Sequence, residues 1–231
     1  MPANLFVNPL DNPIWFSLQT IHTNLAVMHD KVARYRPDHA PFLGVESAAV
    51  EVTETCAVLT APGESVYLLG VAPAQSVGWQ LTGLQPLAQM VCDAPLQVVP
   101  GPPIIALSDA HRSEVLALTA LVYPHYFREL TMNMGRYFGI YQQGQLAAMI
   151  GERMGSVHSR EISAICTHPK FNGRGYARRL MAWLSNDCLA RGLQPFLHVS
   201  YENSRARLLY EKMGYRLRRD IGFWALQRQG G

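Results

Sequence analysis

Apolar positions in the second half of the chain follow a regular order of strand-like and helix-like segments. Residues 104–107 are strand-like, and Ser108 or Asp109 caps the helix that follows. Gln142-Gln143-Gly144 separates two apolar runs and predicts a hairpin turn. The pattern then predicts a strand at 161–167, a helix, a strand at 194–200, a helix at 204–213, and closing strands at 215–219 and 223–227.

The pattern is weaker in the first half. Apolar residues at helical spacing predict a helix from Trp15 to about Arg34. Residues 41–45, 66–70 and 79–81 read as short strands, and residues 84–92 suit either a helix or a strand. We expect an α/β unit here, without a catalytic motif.

A proline-rich segment separates the two halves of the chain. Val98-Val99-Pro100-Gly101-Pro102-Pro103 lacks backbone donors at its prolines and restricts the residue before each of them. We therefore expect an N-terminal domain at residues 1–100 and a second domain at residues 103–231.

Composition narrows the class of protein. With 48% hydrophobic and 16% charged residues the 231-residue chain is globular, and a formal net charge of +3 falls short of a nucleic-acid-binding signature. None of the four cysteines lies in a CxxC pair, which argues against a zinc ribbon or a thioredoxin site. The sequence contains neither a signal-peptide pattern nor an apolar run of transmembrane length. We expect a cytoplasmic protein with no membrane or nucleic-acid partner.

The segment at residues 167–180 carries the clearest chemistry. A strand runs into a turn with Gly173 and Gly175, and a helix begins directly afterwards. Glycines allow close approach of a ligand, and the first turn of a helix presents unpaired N–H groups and partial positive charge. Arg174, Arg178 and Arg179 add cations, so the segment predicts a diphosphate site. A purely structural turn is the alternative on this pattern alone.

Two common diphosphate motifs are absent. The GxxxxGK[ST] pattern of a P-loop does not occur, and the third glycine position of a GxGxxG dinucleotide motif holds Arg178.

Asn172-Gly173-Arg174-Gly175-Tyr176-Ala177 resembles the acyl-CoA pyrophosphate loop of the GNAT superfamily. The segment at 203–215, Asn-Ser-Arg-Ala-Arg-Leu-Leu-Tyr-Glu-Lys-Met-Gly-Tyr, resembles the family's distal motif, and Glu161 lies eight residues before Pro169, as in glycine N-acyltransferase-like members. The resemblance implies an α/β (α+β) GNAT fold, with a mixed, mostly antiparallel central sheet flanked by helices. The N-terminal half is compatible with a degenerate GNAT-like unit.

The resemblance implies acetyl-CoA or another acyl-CoA as co-substrate. One departure is Asn172, where the family usually has Arg or Gln. The residues expected to bind the cofactor are Ile165, Cys166, Thr167, Asn172, Gly173, Arg174, Gly175, Tyr176, Ala177, Arg178, Asn203, Arg207 and Tyr210.

The implied reaction is direct attack of an amine on the thioester. We expect Tyr210 to protonate the thiolate, and the backbone amide of Cys166 to stabilise the oxyanion. We expect Glu161 to act as the base, because strand alternation places it on one face with Ser163 and Ile165. A core tyrosine and a solvated strand-end carboxylate are the plain structural alternatives for Tyr210 and Glu161.

The sequence offers alternatives for the base and for a metal site. Glu152 and His158 are rival bases. His158, Glu161, Cys166 and His168 do not converge as metal ligands, so no metal is expected.

The predicted function is an N-acyltransferase acting on the primary amine of a small molecule or amino acid. A non-catalytic acyl-CoA sensor and a protein lysine or N-terminal acetyltransferase are the alternatives. The expected partners are acyl-CoA and an amine-bearing acceptor, and a homodimer is compatible with the sequence.

Overall fold

A computed structural model describes residues 8–76 and 78–229. The α-helices in these residues are α1 (Pro13–Gln19), α2 (Arg112–Val122), α3 (Tyr176–Ala190) and α4 (Ser204–Met213). The strands are β1 (Ala26–His29), β2 (Val32–Tyr35), β3 (Leu43–Val45), β4 (Glu51–Val52), β5 (Ser65–Leu69), β6 (Gln75–Ser76), β7 (Trp79–Gly83), β8 (Leu87–Val91), β9 (Ile105–Leu107), β10 (Tyr137–Gln142), β11 (Gln145–Ser156), β12 (Ser159–Thr167), β13 (Gln194–Ser200), β14 (Arg216–Ile221) and β15 (Phe223–Arg228). Within the described ranges, no helix combines the length and apolar character that crossing a membrane requires.

The described chain forms two compact units. The first comprises the described residues up to 36, residues 41–86 and the residues from 221 onwards; the second comprises residues 37–40 and 87–220. These bounds differ from the division expected near residue 100, because β8 belongs to the second unit and β15 to the first. A division into functional domains at 1–100 and 103–231 stays a prediction.

A seven-stranded sheet organises the second unit. Its order is β14-β8-β13-β12-β11-β10-β9. β12 and β13 pair in parallel, whereas the pairs β9–β10, β10–β11, β11–β12 and β8–β13 are antiparallel. The predicted α/β fold, with a mixed and mostly antiparallel sheet flanked by helices, is confirmed.

Helices cover both faces of this sheet. Apolar residues of α3 and α4, such as Leu180 and Tyr210, share one buried cluster with Ile150 and Ile162 of the sheet. Val115 and Leu118 of α2 share another cluster with Met149, Ala164 and Cys166. Successive strand residues point to opposite faces, so β11 and β12 supply both cores.

The elements predicted after residue 103 are confirmed to within a few residues. The hairpin turn places Gln143 and Gly144 in left-handed conformations, with φ values of 54° and 74°. Gly214 ends α4 in the same region, with φ of 112°, as a helix C-terminal glycine commonly does.

The first unit corrects one prediction. The helix expected at 15–34 ends at Gln19, and β1 and β2 form a hairpin instead, with Asp30 in its turn at a φ of 49°. β2 pairs on its other side with β3, so non-local pairing overrides the helical spacing. Three small sheets complete this unit: β1-β2-β3, β5-β15-β7 and β4-β6. That it is a degenerate GNAT-like unit stays a prediction.

Candidate active site

The glycine turn before α3 is shaped to receive a ligand. Gly173 and Gly175 have φ values of 79° and 76°, a region that favours glycine. A Cβ atom built on either glycine would meet nothing within 4 Å, so both face open space. Gly175 is the N-cap of α3.

The amides of this turn are available for an anion. Within the described ranges, the N–H groups of residues 173–178 have no hydrogen-bond partner in the protein. The first intrahelical contact at this end is made by Arg179, whose N–H donates to the carbonyl of Gly175. Six consecutive donors and the positive end of the helix dipole suit a pyrophosphate.

The three arginines expected here have different surroundings. Arg174 lies over the ring of Phe171, 5.3 Å from its centroid. Arg178 lies beside the cavity described next and reaches Gln97 at 3.4 Å. Arg179 is used elsewhere, because it donates to the backbone carbonyls of Val99 and Pro102 and so holds the proline-rich segment onto α3.

A cavity of about 880 Å³ opens beside this turn. It brings together residues from α2, β12, the glycine turn and α4. Of the predicted cofactor residues, those lining it are Ile165, Thr167, Asn172, Gly173, Arg174, Gly175, Tyr176, Ala177, Arg178, Asn203 and Tyr210. Cys166, Arg207 and Glu161 do not line it.

The cavity meets the sheet where two central strands separate. The parallel pairing of β12 with β13 ends at Glu161 opposite Phe196. Beyond that pair β12 continues to Thr167, and no other described strand pairs with it on this side, so a ligand can occupy the gap. Ile165 and Thr167 lie on this free stretch and line the cavity.

The amide of Cys166 points away from the gap. The N–H of His168 donates to the carbonyl of Ala147. Two residues before His168, Cys166 lies opposite Met149, which is two residues after Ala147. Because hydrogen-bonded pairs alternate in an antiparallel ladder, the Cys166 amide is directed towards Met149. The oxyanion role expected for this amide therefore loses its support, while the amides on either side of it face the gap.

Tyr210 projects from α4 to the cavity wall. Only 8% of the residue is exposed, and its hydroxyl has no hydrogen-bond partner within the described ranges. Burial raises the pKa of Tyr210, and the neighbouring Cys166 and Tyr123 raise it further. The phenol is therefore protonated near neutral pH and able to donate.

Asn203 and Arg207, the other two cofactor residues expected at α4, have different surroundings. Asn203 is the N-cap, and its side chain accepts from the N–H of Ala206 at 3.1 Å. Arg207 lies over the ring of Tyr201, 5.1 Å from its centroid, and 3.7 Å from the carboxylate of Glu211. Nothing in this geometry directs Arg207 to the cavity.

Glu161 is sealed inside the second unit. Arg153 donates to both of its carboxylate oxygens, with Nε 2.8 Å from Oε2 and Nη2 2.7 Å from Oε1. His198 Nδ1 lies 2.8 Å from Oε1. Although burial favours the neutral acid, the charge and hydrogen bonds of Arg153 and the hydrogen bond of His198 keep the pKa of Glu161 well below its ordinary value.

The expectation that Ile165 shares a face with Glu161 is wrong. The register of β12 against β11 shifts by one residue between Ser163 and Cys166, and Ala164 in this bulge has a φ of 50°. The extra residue reverses the alternation. Ile165 consequently packs with Ile162 on the α3 side and not on the face of Glu161.

A chain of polar side chains crosses five neighbouring strands at this level. Arg153 of β11 bonds to Glu161 of β12, which bonds to His198 of β13. His198 Nε2 lies 3.0 Å from Gln89 Nε2, and Gln89 Oε1 accepts from Arg218 at 2.7 Å. Because the carboxylate only accepts and Gln89 donates, this network assigns the Nδ1–H tautomer to His198.

Of the five residues in this polar network, the sequence analysis identified only Glu161. It missed Arg153, His198, Gln89 and Arg218. They come from strands that are distant in sequence, and no local motif marks them. A charged or amide residue within an otherwise apolar strand is the signal that could have raised Arg153 and Gln89 as candidates.

Neither rival base lies at the cavity. Glu152 is buried, and its Oε1 lies 2.5 Å from Arg136 Nη2 and 3.2 Å from Arg191 Nη1. Although burial favours the neutral acid, the hydrogen bonds from Arg136 lower the pKa of Glu152. His158 is exposed in the turn between β11 and β12. Within the described ranges, one group of three residues, Glu152, Asp187 and Cys188, has its carboxylate and thiol atoms close enough together to coordinate one metal ion. His158, Glu161, Cys166 and His168 do not form such a group.

Comparison with known proteins identifies the family. The family model described as FR47-like protein matches residues 137–225. A solved structure of a GNAT-family protein from Novosphingobium aromaticivorans is 32% identical, with a TM-score of 0.86; the match covers 97% of this chain and 100% of that chain. The chain belongs to the GNAT family. A search of curated protein sequences finds no match.

More distant structures share the fold. A GCN5-related N-acetyltransferase from Kribbella flavida is 14% identical with a TM-score of 0.62, and the match covers 94% of each chain. A GCN5-related N-acetyltransferase-like protein from Streptococcus suis is also 14% identical, with a TM-score of 0.56 and coverage of 97% of this chain and 94% of that chain.

Family membership confirms the predicted class of activity. This GNAT protein is an acyltransferase of the N-acetyltransferase type, and GNAT acetyltransferases use acetyl-CoA as co-substrate.

Proposed function

We propose that this GNAT enzyme transfers an acetyl or other acyl group from acyl-CoA to the primary amine of a small molecule or amino acid by direct attack. The observation that carries the proposal is one cavity that unites the amides of residues 173–178, the edge of β12 beyond Glu161 and the hydroxyl of Tyr210, none of which has a hydrogen-bond partner on this side among the described residues. The small-amine acceptor rests on the likeness to glycine N-acyltransferase-like members.

The residues present fit acyl-CoA. The amides of 173–178 suit the pyrophosphate, and the open space in front of Gly173 and Gly175 leaves room for it. The main chain of Ile165 and Thr167 offers hydrogen bonds to the pantetheine arm. Bound acyl-CoA supplies the thioester, and the protein's residues bind and orient it.

Tyr210 is the proton donor in this proposal. The neutral amine attacks the thioester carbon, the nitrogen of the tetrahedral intermediate loses its extra proton to solvent, and collapse of the intermediate expels the CoA thiolate. The phenol gives its proton to the departing sulfur. A buried hydroxyl at the cavity wall, with no hydrogen-bond partner among the described residues, is suited to that role.

Glu161 suits a positioning role better than the role of base. A general base works best when its pKa lies near the operating pH, whereas Arg153 keeps this carboxylate ionised and weakly basic. Its oxygens already accept from Arg153, His198 and the amide of Met154. We expect Glu161 to hold Arg153 in place.

Calorimetric titration with acetyl-CoA and with free CoA tests the cofactor site, and release of CoA thiol in the presence of amino acids, polyamines and peptides tests transfer. We expect both nucleotides to bind, and amine-dependent thiol release with a small amine. Binding without turnover on any amine would favour a sensor, and turnover on peptides alone would favour a protein acetyltransferase. A folded protein that binds neither nucleotide would contradict the proposal.

A further inference from the structure

All the charged side chains that line the cavity beside the glycine turn are positive. They are Arg174, Arg178, Arg205 and Lys212, and no aspartate or glutamate is among the lining residues. A cleft lined by charges of one sign attracts a ligand of the opposite sign and raises its local concentration. The cavity therefore suits an anion that carries several negative charges.

These four cations lack the acidic partners that other cations of the second unit have. Arg136 and Arg153, for example, form ion pairs with Glu152 and Glu161. Within the described ranges, none of the four cavity cations forms an ion pair with a carboxylate; Arg178 reaches only the amide oxygen of Gln97. Their positive charge is consequently left for a ligand to neutralise.

Two of the four cations lie on one flank of α4. Arg205 and Lys212 are seven residues apart, so they lie on the same side of the helix and about 10 Å apart along its axis. Leu208, which lies between them, also lines the cavity. The other flank carries Arg207 and Glu211, which lie 3.7 Å from each other and do not line the cavity. It is thus the flank without a carboxylate that α4 turns towards the ligand.

The diphosphate of CoA has its own binding group elsewhere in the cavity wall. The amides of residues 173–178 and the start of α3 suit it, and Arg174 and Arg178 belong to the same segment. CoA carries one further phosphate, a monoester on the 3′ oxygen of its ribose, with about two negative charges at neutral pH. The α4 flank, on a separate element, offers two cations for this second anion.

We infer that Arg205 and Lys212 bind the 3′-phosphate of CoA and make the enzyme select CoA over nucleotides that lack this phosphate. The inference rests on the proposed function. A guanidinium donates two parallel N–H bonds to phosphate oxygens, and an ammonium adds a compact charge on a flexible stem. Both residues are exposed, so the phosphate stays partly hydrated and the contacts contribute moderately to affinity.

Calorimetric titration with CoA and with 3′-dephospho-CoA tests the inference, because the second nucleotide keeps the diphosphate and lacks the monoester. We expect the wild type to bind CoA about tenfold more tightly than 3′-dephospho-CoA at low ionic strength. In the double variant Arg205→Met/Lys212→Met the two affinities should come within about threefold of each other, while the affinity for 3′-dephospho-CoA stays within about twofold of wild type. Equal affinities in the wild type, or a preference for CoA that survives in the double variant, would overturn the inference.

Arg216→Met is the control for a simple loss of positive charge. Arg216 is an exposed cation of β14 that pairs with Asp93 and does not line the cavity, so its removal should leave the preference for CoA unchanged. A loss of preference as large as in the α4 double variant would make net charge the cause and refute the inference. Equal losses of affinity for both nucleotides in the α4 double variant would assign these cations to the diphosphate and refute it as well.

Folding and function are checked separately. Because both substituted side chains are exposed, we expect the α4 double variant to keep the circular dichroism of the wild type. Should it fail to fold, Arg205→Met and Lys212→Met alone must each reduce the preference for CoA. Wild-type protein that binds neither nucleotide overturns the proposed function and this inference together, whereas a wild type that transfers acyl groups and binds both nucleotides equally overturns the inference alone.

Discussion

The carboxylate of Glu161 receives both Nε and Nη2 of Arg153, at 2.8 and 2.7 Å, at the point where β12 and β13 separate. A charge pair in such a position is costly to desolvate and costly to break.

Breaking this pair should destabilise the fold strongly. Arg153→Met leaves an ionised carboxylate buried without its main partner, and we expect a loss of about 3–5 kcal/mol in the free energy of unfolding by urea. Asp109→Asn is the control, because the Asp109–Arg112 pair is exposed at its carboxylate and should contribute less than about 1 kcal/mol. Equal losses in the free energy of unfolding for Arg153→Met and Asp109→Asn would contradict the expectation that burial makes the Arg153–Glu161 pair costly to break.

Acid should destabilise the protein through the same groups. Glu161 and Glu152 have folded pKa values below their ordinary value of 4.5, so the unfolded chain binds more protons there as the pH falls. Their contribution is complete above about pH 5 and is lost progressively from about pH 4.5 downwards. Urea unfolding between pH 7 and pH 3 measures this. The slope below pH 4.5 should be smaller for Glu161→Gln, and an unchanged slope would exclude Glu161 as its source.

Gly175→Ala should impair both folding and cofactor binding. An L-residue in the left-handed region costs about 1–2 kcal/mol, and the new methyl group enters the space facing the cavity. We expect at least a tenfold loss of CoA affinity by calorimetry. Gly144→Ala has the same backbone requirement, with φ of 74° and nothing near its Cβ, but lies in the β10–β11 turn. It should show a similar loss of stability with unchanged affinity.

Tyr210→Phe should separate chemistry from binding. We expect kcat to fall by about 10²–10⁴, with the calorimetric affinity for acetyl-CoA nearly unchanged. Comparable turnover of the variant and wild type would remove Tyr210 from the acid role.

The pH profile of the wild type provides a second check on Tyr210. Because burial raises its pKa above the ordinary value of 10, the phenol keeps its proton throughout the neutral and mildly alkaline range. We expect kcat to show no falling limb below about pH 10. A fall centred near pH 8 or 9 would indicate a different acid.

Local patterns were sufficient for most of the second unit. Gly-x-Gly before an apolar-faced helix predicted the anion cradle, because backbone conformation at glycine and the free amides of a helix start are local properties. The Asn203 cap and the Gly214 stop follow from the same local chemistry. The segment at 15–34 failed, since its helical spacing was overridden by pairing of β2 with β3.

By itself, the sequence determined the family resemblance, the order of elements after residue 103 and the residues around the glycine turn. Only the tertiary structure decided which groups meet at the gap. Five strands, drawn from residues 87 to 221, place Arg153, Glu161, His198, Gln89 and Arg218 in one network of contacts, and the bulge at Ala164 puts Ile165 on the face opposite Glu161. Strand order and bulge position depend on non-local pairing, so neither can be read from the neighbours of a residue along the chain.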